Sequence, residues 1–311
     1  MSEICSKILL IVGSISVLLI FLYLLDTFRE EFRKDRILTL CYQRPSSLLT
    51  RGISKSGVIY LSFSIRFEEQ IGYLFNHGYQ AISIHDLLAC QEKKQKLPSK
   101  PLLIILDNAY LSNYLHLYPI IRKYDFPAAM LVTPDPKSEV FAPLRGIDLP
   151  LTNRQLSEMS QGNILIGSHG LSVRPFSKLS EEELMREICE SKRLIEDIID
   201  GKVEYLAIPA NDFLDKRTQT LAQNAGYKAV LGNHVGTNNR RNNPFNLRKL
   251  TIKEDMDLSE FIKFISPVSI FRKRILFDIK TSPITIKNLL KSFRRKKQVD
   301  PKTSANGELN G

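Results

Sequence analysis

The hydrophobic pattern opens with an unbroken run. Residues 8–25 (ILLIVGSISVLLIFLYLL) carry no charge, and 18 residues at roughly 1.5 Å each approach the thickness of a bilayer's hydrocarbon core. Beyond a charged stretch the chain alternates between two periods. Continuous apolar runs at 102–106 (LLIIL), 128–133, 164–167, 204–207 and 228–231 read as buried parallel strands. Helical spacing lies between them. Over 67–75, Phe67, Ile71, Leu74 and Phe75 share one face. Ser180 and Glu183 make a capping box, and the helix behind them turns Leu184, Ile188, Ile195 and Ile198 or Ile199 inward. Gly226 stands where a helix starting near Asp215 should stop. This alternation predicts an α/β fold, a parallel sheet covered by helices and either open or closed into a barrel, with its chemistry at the carboxyl ends of the strands. Periodicity weakens past Phe271. From Lys291 the chain is basic and then polar, a composition that predicts disorder.

The organisation expected is therefore a short flank at 1–7, a transmembrane anchor at 8–25, a charged linker at 26–36, one α/β domain at 37–270 and a basic, partly disordered tail at 271–311. An uncleaved anchor fits better than a signal peptide, because the run ends Leu24-Leu25-Asp26 without a small-residue cleavage pattern. Orientation is contested. The far flank holds Arg29, Arg33, Lys34 and Arg36, which leans toward a cytoplasmic domain.

Composition changes this picture little. The four cysteines (Cys5, Cys41, Cys90, Cys189) form no C-x-x-C pair, so neither a disulfide framework nor a zinc knuckle is expected. The net charge of +11 gathers late in the chain, at Arg272, Lys273, Arg274 and again from Lys291. No basic–aromatic interleaving accompanies it, so no nucleic-acid partner is expected; attraction of the tail to an anionic membrane surface is the alternative to a solvated end.

An ordered series of segments resembles the polysaccharide deacetylase family (carbohydrate esterase family 4, the NodB-homology domain), in a divergent form. Leu40-Cys41-Tyr42-Gln43-Arg44 is similar to the family's L-x-Y-H-R strand, and Phe67 to Gln70 with Asn76-His77-Gly78-Tyr79 to F-x-x-Q and L-x-x-H-G-Y. Ile105-Leu106-Asp107-Asn108-Ala109-Tyr110 stands where the family has T-F-D-D-G-Y, and Ile166-Gly167-Ser168-His169 matches I-G-S-H. Leu179 to Ser191 resembles L-S-x-x-E-L-x-x-E-I-x-x-S, Ile208-Pro209-Ala210-Asn211 replaces Y-P-Y-G, Ala225-Gly226-Tyr227 fits A-G-Y, and Leu247-Arg248 lies near L-x-R.

The resemblance implies a distorted (β/α) barrel and the removal of acetyl groups from an N-acetylated polysaccharide with the help of a divalent metal, zinc or similar. Asp107 takes the position of the general base and Ala210 that of the backbone oxyanion donor. Arg248 is a candidate partner for Asp107, and Tyr110 a candidate substrate contact. His169 and Asn108 fall on metal-ligand positions, and the third is held by Val173. Valine donates nothing to a metal, and a neutral amide donates weakly, so the expectation is that no metal binds unless the protein is active. His234 is a candidate rescue ligand from elsewhere in the fold, though nothing in the sequence requires it. Each residue has a plainer role open to it: Asp107 as a turn or cap residue, His169 and Asn108 as loop hydrogen-bonders, Arg248 as a surface charge.

Three functions compete. The first is a deacetylase-like pseudoenzyme that binds glycan or envelope proteins. The second is a working hydrolase of C–N bonds with an altered site, and the third a membrane-bound scaffold facing the cytoplasm. The family's habit favours an extracytoplasmic domain on a single-pass anchor.

Overall fold

The computed structural model describes residues 2–42, 56–93, 95–138, 141, 148–210 and 212–281; Gln43, Arg44, Asn211 and the tail beyond 281 lie outside them. Eight strands form one sheet: β1 (Leu38–Tyr42), β2 (Gln80–Ala81), β3 (Pro101–Asp107), β4 (Ala128–Val132), β5 (Ile164–Ser168), β6 (Tyr205–Ala207), β7 (Ala229–Leu231) and β8 (Leu250–Ile252). Their order is β7-β6-β5-β4-β3-β1-β8, with β2 on the early part of β3, and every pairing is parallel. The sheet curls. A bridge from Leu231 to Leu247 brings the approach to β8 back beside β7, which gives the distorted parallel barrel that the motif series implies.

Helices cover the outside: α1 (Ser2–Glu31), α2 (Ser56–Asn76), α3 (Ile84–Gln91), α4 (Tyr118–Lys123), α5 (Asn153–Ser160), α6 (Glu181–Ile199), α7 (Lys216–Asn224), α8 (Leu258–Phe264) and α9 (Pro267–Thr281). Their ends follow local chemistry. Ser83, Thr152 and Ser180 each cap a helix in a reciprocal box, and Asp215 caps α7, which ends before Gly226 at φ +82°. The predicted inner face of α6 holds, with Leu184, Ile188 and Ile195 fully buried.

Two cores result. Leu40, Leu102, Ile104, Met130, Ile166, Leu206 and Leu250 face the helices. Ile37, Cys41, Leu103, Ile105, Ala129, Leu131, Ala207, Ala229, Leu231 and Leu247 line the barrel interior. This alternation is the period of two of a strand buried on both faces.

Two boundaries differ from the sequence reading. The charged linker at 26–36 is largely helix, because α1 runs on to Glu31 with Thr27 and Glu31 buried. The stretch past Phe271 continues as α9 to Thr281, with Ile270 and Arg274 buried. Tertiary charge pairing is the reason. Arg274 Nη1 lies 2.6 Å from Glu30 and 3.1 Å from Glu31, Arg248 Nη1 lies 2.9 Å from Glu30, and Thr237 Oγ1 donates to Glu31 at 2.7 Å. Gly236 permits the close approach: a Cβ there would sit 2.9 Å from Arg248 and 3.1 Å from Glu31. Phe271 packs edge-on against Phe28.

Candidate active site

The site is built at the carboxyl ends of adjacent strands. Asp107 ends β3 and is fully buried; its backbone is in register with Leu131 of β4, which is in register with Gly167 of β5. His169 follows β5, buried, and its N–H donates to the carbonyl of Val132 at 2.8 Å. Its Nδ1 lies 3.2 Å from the carbonyl of Ala207, which can only accept, so Nδ1 carries a proton. That directs Nε2 to Asp107 Oδ1, 3.4 Å away. Asp107 and His169 are thus brought together, as their motif positions require. Ala210 lies three residues beyond Ala207 at the end of β6 and is exposed. Its backbone therefore shares a strand end with the group that orients His169.

The turn after Asp107 holds Asn108 at φ +60° and Ala109 at +21°. This is the left-handed region, which glycine and asparagine enter at the lowest cost. The Asn108 side-chain oxygen is buried and has no hydrogen-bond partner among the described residues. Val173 also sits at φ +60°, where a β-branched side chain is strained. Glu187 of α6 holds that loop in place: its carboxylate accepts from the N–H groups of Leu171 (2.7 Å) and Ser172 (2.8 Å) and from the Ser172 hydroxyl.

Three expectations are corrected. Arg248 does not reach Asp107; its guanidinium turns to Glu30 and the Thr237 carbonyl. Tyr110 is 3% exposed, with its ring edge-on to Phe141 at 5.2 Å, so it offers no open face to a sugar. His234 packs against Phe277 of α9, 5.4 Å between ring centroids, rather than beside His169.

Three residues escaped the sequence reading. One is Glu187. Another is Cys41, whose Sγ lies 3.9 Å from Asp107 Oδ2 and whose thiol burial pushes up to about 12. The last is Lys249, which is 3% exposed. The signal for Lys249 was present, since L-x-R spacing counted from Leu247 lands on it. Two basic residues stand in tandem there, and only burial tells them apart.

The comparisons agree with this geometry. A polysaccharide deacetylase family model matches residues 94–230. YxkH of Bacillus subtilis, a polysaccharide deacetylase by name, is 25% identical over 201 residues, 64% of this chain and 68% of its own. The poly-β-1,6-N-acetyl-D-glucosamine N-deacetylase of Staphylococcus aureus is 23% identical over 200 residues, 61% of this chain and 67% of its own. Among solved structures, the Streptococcus pyogenes deacetylase PplD in complex with acetate superposes with a TM-score of 0.60 at 18% identity, over 75% of this chain and 98% of that one. The motif series, the curled parallel barrel and these likenesses have one source: the chain is a distant member of the polysaccharide deacetylase family.

Proposed function

We propose that this chain is a membrane-anchored, deacetylase-like protein that engages an N-acetylated polysaccharide of the cell envelope, with metal-dependent catalysis impaired, and that it works by glycan or partner binding. The observation that carries this reading is the donor set. The family's metal would need to be held by the residues at 108, 169 and 173, and these supply one imidazole, one neutral amide oxygen and an isopropyl group. No group of three His, Cys, Asp or Glu able to hold an ion occurs among the described residues. The unpartnered Asn108 oxygen could meet a ligand, but a single neutral oxygen beside one imidazole is a poor cradle for a dication. The residues at 108, 169 and 173 do not fit the metal.

A second reading, an active hydrolase with an altered site, is favoured by one observation: Asp107 and His169 keep their mutual contact of 3.4 Å. Such a pair can position a water and hold its proton.

Metal analysis separates the two readings. The purified full-length chain should hold well under one equivalent of zinc, manganese or cobalt and release no acetate from N-acetylated chito-oligosaccharides. Acetate release that Asp107→Ala abolishes would establish the second reading instead.

The anchor reading is supported by α1, where 10–31 meets the length and apolarity of a membrane span and Leu10 to Tyr23 present large exposed apolar side chains. A signal sequence would pass the same test. We place the domain outside the cytoplasm, after the family's habit.

A further inference from the structure

The last described helix returns toward the membrane that α1 is proposed to cross. Phe271 packs against Phe28, and the Tyr23 hydroxyl donates to Asp278. Between these two contacts the numbering rises along α9 as it falls along α1, so the helices run antiparallel there and α9 descends beside the anchor. Tyr23 belongs to the uncharged run 8–25 and stands about 3 Å inside its end at the rise of a helix. For a span near the bilayer normal, Asp278 is therefore level with the edge of the hydrocarbon. The domain begins to cover α1 at this same level: Phe21 and Leu22 are exposed, Leu24 and Leu25 half-buried, and Thr27 buried. No spacer separates barrel from bilayer.

A separate face of α9 exposes Val268, Arg272, Leu276 and Lys280. The spacing of four puts them in one row, apolar and basic in turn. The other charges of α9 near this level have partners within the protein. Arg274 is held by Glu30 and Glu31, and Lys273 stands over the Phe264 ring, 3.7 Å from its centroid, bonded to Ser269. Asp278, the one acid of α9, is bound by Tyr23 and lies 3.9 Å from Arg274 Nε. Counted from Asp278, Leu276 falls at the hydrocarbon edge and Arg272 about 6 Å outside it, within a headgroup layer about 5–8 Å deep. Lys280 falls just inside, where a lysine stem lies along apolar surface and returns its ammonium to the phosphates.

We infer that the outer end of α9 is a lipid-contact site, in which Leu276 meets the acyl chains and Arg272 and Lys280 take the phosphates of anionic lipids. An outward leucine at the edge of the hydrocarbon with a cation one turn to either side matches a charged lipid surface. Each basic residue near such a surface favours anionic over neutral lipid roughly fivefold. The inference rests on the proposed anchor and goes beyond it: the domain is seated on the bilayer at two places, α1 and α9, rather than hanging from a single span.

The chain contains no tryptophan, so Leu276→Trp is a single reporter. The full-length chain is reconstituted into vesicles of phosphatidylcholine, with and without phosphatidylglycerol. Lipid with brominated acyl chains should quench this tryptophan about twofold or more, and iodide in the water should reach it poorly. Met185→Trp, at an exposed position on α6, which packs between α5 and α7, should show the reverse. Brominated phosphatidylglycerol should quench Leu276→Trp more than brominated phosphatidylcholine at equal content, and adding Arg272→Gln with Lys280→Gln should remove the difference. A tryptophan at 276 that iodide reaches as freely as the one at 185 would overturn the inference, and so would equal quenching by the two lipids. Alkaline carbonate extraction tests the anchor by itself. Release of the chain would overturn both readings, whereas a retained chain with an exposed tryptophan at 276 would overturn this one alone.

Discussion

At the scale of single residues, Ala109 and Val173 hold positive φ angles that their own side chains disfavour. Val173 holds φ +60° because Glu187 ties down its loop, not because valine prefers that conformation. A strained position of this kind costs on the order of 1–3 kcal/mol, and glycine returns roughly 0.5–1 of that as lost chain entropy. Val173→Gly should therefore stabilise the fold by about 1 kcal/mol in chemical denaturation; a clear destabilisation would show that the valine side chain contributes packing that outweighs its strain. His234 gives a pH dependence. Burial holds its imidazole below the ordinary value of 6.5, Arg248 and Arg274 push the same way, and Asp278 opposes them. The folded state then binds that proton less readily than the unfolded chain. Stability from this site is complete above about pH 6.5 and falls as the pH drops through that value toward the folded pKa. His234→Phe should flatten the fall in melting temperature between about pH 7 and pH 5, and an unchanged slope would assign the acid sensitivity to another group.

At the scale of elements, the informative joint is between α1, α9 and the loop at Thr237. Glu31 is fully buried and shared by Arg274 and Thr237, while Glu30 is shared by Arg274 and Arg248. Removing one member of a buried ionic group strands the others, which typically costs about 3–5 kcal/mol. Arg274→Met should lower stability by an amount of that order, and the loss should shrink if Glu30 is also neutralised. A change within error for Arg274→Met would mean that apolar contacts such as Phe28 with Phe271 hold α9 by themselves. Glu187→Gln should cost about 1.5–3 kcal/mol by weakening charge-assisted bonds to the loop that carries Val173, and protease cleavage within 170–175 should then speed up.

At the scale of the whole molecule, the clamp makes α1 part of the domain rather than a flexible tether, since helix and barrel meet through buried charges. With α1 as the proposed membrane anchor, the orientation of the barrel would follow from the direction of α1. A periplasmic-type phosphatase fused to the C-terminus should be active if the domain lies outside the cytoplasm, as proposed. An inactive fusion that is still expressed would reverse the topology and agree with the basic flank at Arg29, Arg33, Lys34 and Arg36.

Sequence by itself determined what depends on local pattern. Strand runs such as 102–106 became β3, the Ser180 box started α6 and Gly226 marked the stop behind α7, because capping and burial on both faces leave marks within a few residues. Motif spacing put Asp107 and His169 in one candidate site, and the structure brings the two side chains within 3.4 Å because each lies at or next to the end of its own strand. Tertiary structure alone decided which of two neighbouring basic residues enters the barrel, where Arg248 finds its acid, that Tyr110 is packed away and that the charged segments around Glu30 and Arg274 are one buried joint. Charge pairs between residues more than 200 positions apart have no local signature. A lysine on a strand looks the same in sequence whether its face meets water or the inside of a barrel.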